Sequence, residues 1–389
     1  MLEWPHMKDF IFHAWRDGYE IQKKAVFVQN IYTLPPTDDI FIGAMKANIA
    51  FHAQQCPDYG KILNKLDFDF DSVNGIDDLY KIPPLPTSYL KNNTLLSKPY
   101  DKLFMKTTSS GTGGKKTLSG FDFSSALCAF FMVLKVFRYH KLISPRLTNY
   151  IILGYQPDES NQSATAKALK GVTILAIPKT VRYALKFENG EYQADTEGII
   201  DSMIQFGKQN TPVRIIGFPA YLKMFIDELD ERNIKLNLHK DSKILLGGGW
   251  KTFFSEEVSK TKLFNMANQT LGIRRENFKD HFSTAEHPIN YISCKNGHFH
   301  VPVFSRAIIR DVNTLEPVPN GTPGLLNLIT PLLSSAPYGS ILTDDIAVMK
   351  NGDECGCGIS SPYFELIGSV GLASIKTCAQ AASEYLNNV

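Results

Sequence analysis

Lys106-Thr107-Thr108-Ser109-Ser110-Gly111-Thr112-Gly113-Gly114-Lys115-Lys116-Thr117 lies between apolar Leu103-Phe104-Met105 and a long hydrophobic segment that opens at Phe123. Few of its side chains can add to a core. The stretch offers instead a dense array of backbone N–H groups, several hydroxyls and clustered ammonium groups, a combination suited to a polyphosphate. The competing reading is a flexible surface linker, since glycine and serine gather there too. Linkers rarely sit between two strongly patterned segments or carry clustered lysines. The loop is not of the Walker type, because no Gly-Lys-Ser/Thr follows at the required spacing.

The segments that follow decide the fold class. Phe123 to His140 reads as a helix, apolar nearly all round with Phe130, Phe131, Leu134 and Phe137 on one side, and so as a buried one. Leu147 to Gly154 has the content of a buried strand. Gly171 to Pro178 reads as a strand, Thr196 to Gln209 as a helix, and Val213 to Phe218 as a strand. Pro219 to Asn233 reads as a helix with proline in its first turn. Lys243-Ile244-Leu245-Leu246 is a further strand, ending on Gly247-Gly248-Gly249-Trp250-Lys251. Strands alternating with helices at this spacing imply a mostly parallel sheet flanked by helices, an α/β fold. Ligands of such sheets collect at the carboxyl ends of the strands, where both glycine runs would lie.

Residues 1 to about 100 read as helices joined by proline-rich turns, for instance Ile40 to Gln54. After about residue 290, strand-like runs at 291–309, 324–329 and 341–349 alternate with Gly, Pro and Asn turns. They suggest a small β-rich subdomain such as a distorted barrel. One core over 1–389 is expected, with a helical part to about 100, a nucleotide-binding α/β part at 101–290, the β-rich part at 291–366 and a short tail at 367–389.

With 389 residues, 43% of them hydrophobic, a sizeable core is expected. A net charge of +2 is too mild to argue for nucleic acid. Neither a secretory signal nor a transit peptide is visible, and no window approaches the roughly 18 apolar residues of a membrane span. Six cysteines in a chain of this length do not look like an extracellular disulfide framework. The expected location is the cytoplasm.

Three polar clusters punctuate the later chain. In Phe282-Ser283-Thr284-Ala285-Glu286-His287 a glutamate sits in a loop, where solvated surface is the plain alternative to catalysis. Thr343-Asp344-Asp345 ends a strand-like run; its carboxylates would receive ribose hydroxyls or Mg2+, or merely cap the strand as a polar turn. Cys294-x3-His298-x-His300 and Cys355-Gly356-Cys357 lie on two tight turns that would converge as a Cys3His zinc site. Free buried thiols and a labile disulfide are the alternatives. Four protein ligands would make such a zinc structural, with no open position for water.

The order of these clusters behind the glycine loop resembles the adenylate-forming superfamily of acyl-CoA synthetases and luciferases. The superfamily loop is Thr-Ser-Gly-Thr-Thr-Gly-x-Pro-Lys, and Ser109-Ser110-Gly111-Thr112-Gly113-Gly114 matches its front half. The terminal Pro-Lys falls on Lys116-Thr117, so Lys115 or Lys116 would act from a shifted position. Within the superfamily the chain resembles the acyl-protein synthetases of the bacterial luminescence fatty-acid reductase complex (LuxE type), which are related to phenylacetate-CoA ligases. The matches are the 109–114 loop, Gly247-Gly248-Gly249-Trp250-Lys251, and Glu286 preceded by Ala285. Ile309-Arg310-Asp311, Gly321-Thr322-Pro323-Gly324-Leu325 and Ile341-Leu342-Thr343-Asp344-Asp345 complete them. Ser283 stands where the pattern has glycine, and Ser369 where many relatives have arginine.

The resemblance implies an adenylate-forming large-domain fold and an ATP site. Ser109 to Lys116 would hold the β- and γ-phosphates, Gly247 to Gly249 would let adenine lie on bare backbone, and Phe282 would stack on the base. Glu286 would bind Mg2+ and Asp345 the ribose hydroxyls. The superfamily's mobile C-terminal domain is expected to be missing, and the acyl group to pass to Cys378, with Lys376 nearby to lower the thiol's pKa. His300 is preferred to His298 as zinc ligand because it matches the Gly-x-x-His of the phenylacetate-CoA-ligase relatives. The implied activity is that of an ATP-dependent acyl-protein synthetase acting on a fatty acid, serving an acyl-reductase or acyl-transferase partner. The alternatives are an acyl-CoA or aryl-CoA ligase and a degenerate nucleotide-binding scaffold subunit.

Overall fold

In the computed structural model, which describes residues 30–108, 118–158, 171–250 and 257–369, the chain is interleaved rather than laid out in succession. Leu85–Pro86 (β1) pairs in parallel with Ile341-Leu342, more than 250 residues later. Two compact units result, one from residues 1–135, 283–291 and 298–389 and the other from 136–282 and 292–297. The borders between them fall at 135/136 and in the interleaved stretch from 282 to 298. Strand pairing this far apart in the chain leaves no trace in local composition.

In the first unit Asp38–Gln55 (α1) and Pro57–Lys65 (α2) form where helices were expected. Asp38 and Asp39 in the first turn of α1 favour its positive end, and proline opens α2 where a backbone N–H is not needed. The buried stripe Phe41, Met45 and Ile49 packs with Tyr59, Leu85 and Ile341 into one core cluster. Thr87–Leu90 (α3) follows β1 directly. Met105–Thr108 (β2) and Leu118–Phe121 (β3) form an antiparallel hairpin. Phe123–Tyr139 (α4) is a helix as expected but is not buried all round. Met132, Val136 and Phe137 face the interior while Phe130 and Tyr139 are exposed, because a helix packed on one side needs only one apolar stripe.

The second unit is the expected α/β sheet. Ser144–Tyr155 (β4), Val213–Gly217 (β7), Lys243–Gly247 (β8) and Phe278–Phe282 (β9) run parallel. Ala176–Glu188 (β5) runs parallel to β4 on its other side, and Glu191–Ala194 (β6) returns antiparallel across the Asn189-Gly190 turn. With Tyr291–Ile292 (β10) at the far edge, the order is β10-β9-β8-β7-β4-β5-β6. The strand expected from Gly171 begins only at Ala176, because Val172–Leu175 forms a 3-10 turn. Periodicity cannot tell so short an apolar run from a helical turn. Thr196–Gly207 (α5), Pro219–Glu231 (α6) and Lys260–Leu271 (α7) cover the sheet. Their buried Ile200, Phe225 and Leu271 meet Ile151, Ile215 and Phe278 of the strands.

The remaining strands complete the first unit: Phe299–His300 (β11), Arg306–Arg310 (β12), Gly324–Ile329 (β13), Ser340–Lys350 (β14) and Tyr363–Ser369 (β15). They follow the order β11-β15-β14-β13-β12, with β1 beside β14. Among the described residues this sheet forks at β14. One edge of β14 gives Ile341-Leu342 to β1 and Asp345 to Lys350 to β15.

Candidate active site

At the base of the glycine-rich stretch Thr108 pairs with Leu118; Ser109, Ser110, Gly111, Thr112, Gly113, Gly114, Lys115 and Lys116 lie outside the described residues. Gly120 is required here, since a Cβ would stand 2.7 Å from the Leu103 side chain and from the Met105 carbonyl. Directly after β3, buried Asp122 accepts the Ser125 backbone N–H (2.9 Å), capping α4, and the Ser334 hydroxyl (2.9 Å), and is paired with Lys98. Burial alone would raise its carboxyl, but Lys98 and Ser125 outweigh that and hold it below its ordinary value. This network, absent from the motif reading, anchors the hairpin's outgoing end. Lys106, at the incoming end, lies over the Tyr100 ring at 4.8 Å.

The carboxylates lie in the same unit. At Thr343 to Asp345 both ladders of β14 break. On one side Leu325 pairs with Ile346 and Asn327 with Leu342, so three residues of β14 face Leu326 alone. On the other, β1 stops at Leu342 and β15 starts at Asp345. Thr343 closes the gap, its hydroxyl donating to the Leu326 carbonyl (3.1 Å) and accepting from the Asp345 N–H (3.2 Å). Bulges of this kind redirect side chains and gather at functional sites. Burial, then the adjacent Asp344 charge, pushes the Asp345 carboxyl up to about 6.

Glu286 is 5% exposed, so it is no solvated surface glutamate. Burial raises its carboxyl; its own backbone N–H, the Lys91 charge and the Thr284 hydroxyl act in the opposite direction, while Asp344 adds to the rise. Its turn is held from behind by His287, fully buried, whose Nε2 lies 3.0 Å from the Tyr291 hydroxyl and 3.3 Å from the Ser305 hydroxyl. Burial lowers the His287 pKa to about 3, so this histidine is a neutral support. A carboxylate is the kind of oxygen ligand that a hard divalent cation takes. Lys91 is the cation that motif reading passed over; its Nζ pairs with Asp344 at 3.1 Å.

In the second unit, Gly247 pairs with His281, so Gly247, Gly248 and Gly249 leave β8 level with Phe282 at the end of β9. Both therefore occupy the carboxyl edge of adjacent parallel strands. Gly248 has φ +75°, and a Cβ on it would stand 2.8 Å from the Phe218 ring. Trp250 turns away into the core.

Residues 35–387 match the family described as acyl-protein synthetase, LuxE. The chain belongs to that family. It is 26% identical over 348 residues to the long-chain-fatty-acid–luciferin-component ligase of Vibrio harveyi, covering 87% of this chain and 86% of that one. The ligase of the same name from Aliivibrio fischeri is 25% identical over 324 residues, 81% of each chain. Among solved structures, a 2-hydroxyisobutyryl-CoA ligase in an open conformation with 2-HIB-AMP and CoA superposes with a TM-score of 0.64 at 14% identity, over 88% of this chain and 77% of that one. The LuxE-family protein thus has the adenylate-forming fold and is an ATP-dependent, acyl-adenylating acid–thiol ligase.

Within the first unit of this LuxE-family chain, the ligand atoms of His300, Cys355 and Cys357 lie within 4.8 Å of one another, while Cys294 falls in the second unit. His300 Nδ1 donates to the Ser361 carbonyl (2.7 Å), leaving Nε2 toward the Cys357 sulfur (3.2 Å). Backbone N–H groups of Asn296 and Ile359 point at the Cys294 and Cys357 sulfurs. A histidine fixed through its second nitrogen and thiols facing N–H donors are what a tetrahedral zinc needs. The described cysteines are free. His298 is placed behind this group, with Nδ1 3.1 Å from the Cys355 sulfur. Cys378 lies outside the described residues.

Proposed function

We propose that the activated acid is a fatty acid and that the acyl group ends on Cys378, from which an acyl-reductase or acyl-transferase partner collects it. The observation that carries this reading is the pair of raised carboxylates, buried Glu286 and half-buried Asp345, in a chain of the LuxE family. The names of the Vibrio harveyi and Aliivibrio fischeri relatives support the long-chain acid. A substrate carboxylate oxygen attacks the α-phosphorus of ATP and pyrophosphate leaves. The Cys378 thiolate then attacks the acyl carbonyl, and AMP leaves as the thioester forms.

Asp345 accepts the ribose hydroxyls, Gly247 to Gly249 and Phe282 receive adenine, and the loop with Lys115 or Lys116 holds the phosphates. Glu286 is the residue to hold Mg2+, which supplies neutralisation of phosphate charge when bound. Cys294, His300, Cys355 and Cys357 are the residues for a structural Zn2+. The protein's place of action on this reading is the cytoplasm; no described helix is long and apolar enough to cross a membrane. The test is intact mass after incubation with ATP, Mg2+ and a fatty acid. A hydroxylamine-labile adduct absent from Cys378→Ala is expected; CoA-dependent turnover without any adduct overturns the reading in favour of a CoA ligase.

A further inference from the structure

The connection from β13 to β14, residues 330–339 of the first unit, is buried at every position. Connecting segments ordinarily run over the surface, because a buried one must find a partner for each backbone N–H and C=O. Here two other segments of the same unit supply partners. Asn48 Nδ2 of α1 donates to the Pro331 carbonyl (3.1 Å) and to the Leu333 carbonyl (2.7 Å), and His52 Nε2 lies 2.9 Å from the same Leu333 oxygen. The Ser97 N–H donates to the Ser335 carbonyl (2.9 Å), and the Ser97 hydroxyl lies 2.6 Å from His52 Nδ1. Carbonyls 331, 333 and 335 are thus taken by one linked group of side chains, the period-two alternation of extended chain.

Ser334, between those carbonyls, is taken instead by the first turn of α4. Its hydroxyl donates to Asp122 (2.9 Å), its N–H donates to the Ser125 hydroxyl (3.0 Å), and Asp122 in turn accepts the Ser125 N–H (2.9 Å). These three residues close a ring of hydrogen bonds, and all three are buried. Lys98, next in the chain to Ser97, pairs with Asp122 and so joins the ring to the group that holds the carbonyls. Asp122 is the first residue after β3. The ring therefore ties the outgoing strand of the β2–β3 pair to a segment that α1 already holds. None of these residues is among those assigned above to nucleotide or metal.

We propose that Asp122 and Ser334 are positioning residues for ATP: their ring holds the outgoing strand of the β2–β3 pair in place before the nucleotide arrives, so that less ordering is left to be done on binding. The inference rests on the ATP-site reading above. Both residues act through β3 and touch no phosphate themselves, so their loss weakens the hold on ATP without changing the chemical step.

Pyrophosphate exchange dependent on a long-chain fatty acid, measured on the full chain well below its unfolding midpoint, tests this with Ser334→Ala, Ser334→Thr and Asp122→Asn. Ser334→Ala removes the hydroxyl and should raise KM for Mg-ATP about tenfold, the order set by one hydrogen bond to a charged group, with kcat and the KM for the acid within about twofold of wild type. Ser334→Thr keeps the hydroxyl and should recover most of the loss. Asp122→Asn keeps an acceptor for Ser125 and Ser334 but loses the charge that Lys98 meets, and should move KM for Mg-ATP the same way by less. A role in folding alone gives another pattern, because a smaller active fraction lowers kcat and moves neither KM. Ser334→Ala with an unchanged KM for Mg-ATP, whatever its unfolding midpoint, overturns the proposal, as does a rise confined to the KM for the acid. Should Ser334→Ala yield no folded protein, the KM for Mg-ATP of Asp122→Asn decides by the same criterion. A wild-type chain without exchange overturns the ATP-site reading, and the inference with it.

Discussion

Replacing Asp345 with asparagine should make the protein more stable at neutral pH while damaging its activity. The Asp345 carboxyl rises from 3.8 to about 6, chiefly through burial and secondly through Asp344. A rise of that size means that ionised Asp345 disfavours the folded state by about 3 kcal/mol. The sign runs opposite to that of a salt-bridged aspartate. Because the folded state binds the proton more tightly, stability is fully present below the unfolded value of 3.8 and is lost as pH rises through about 6.

Asparagine removes the charge but accepts hydrogen bonds less strongly than the carboxylate it replaces, a loss of about 1 kcal/mol. The expected net gain at pH 7.5 is therefore about 2 kcal/mol, shrinking toward zero or below near pH 4. Urea unfolding of wild type and Asp345→Asn between pH 4 and 8 measures it, and carboxylic-acid-dependent pyrophosphate exchange measures the cost to adenylation. An Asp345→Asn variant less stable than wild type at pH 7.5, or a difference that does not shrink on acidification, refutes the electrostatic account of the fork.

Gly248→Ala places a Cβ at φ +75° and against the Phe218 ring. It should lower stability by about 1–2 kcal/mol from backbone strain alone and weaken Mg-ATP binding, both readable in one calorimetric series; binding unchanged from wild type would separate the glycine run from adenine. Elemental analysis of protein purified without added metal should find about one zinc per chain, and Cys357→Ser should lose most of it, since three ligands hold a structural zinc far less well than four. A metal content below half an equivalent in wild type would count against that centre.

The α/β unit was legible because its evidence is local. Val213 to Gly217 is buried at every position, the pattern of a strand covered on both faces, and Pro219 marks the start of the next helix. Glycine runs and a rare Cys-Gly-Cys turn also declare themselves in short windows. The residues that misled did so for equally physical reasons. Phe130 in an apolar helix does not report which stripe faces inward, and Val172 to Leu175 suits a strand and a helical turn alike. The state of Glu286 could not be read, because its burial depends on the His287, Tyr291 and Ser305 hydrogen bonds behind it.

What the residues alone determined is the chemistry on offer: a glycine-rich stretch suited to phosphate, a glycine run at a strand end, carboxylates in order behind them and a set of cysteines and histidines of the kinds that bind zinc. Only the tertiary structure decided how the carboxylates are tuned. A ladder of hydrogen bonds can break at Thr343 to Asp345 only where β1, β13 and β15 meet β14, and those strands are drawn from both ends of the described chain. The same long-range pairing delivers Lys91 to Asp344. Since electrostatic interaction depends on separation in space and on burial, an aspartate displaced to about 6 and the lysine beside it are properties of the fold and not of any stretch of sequence.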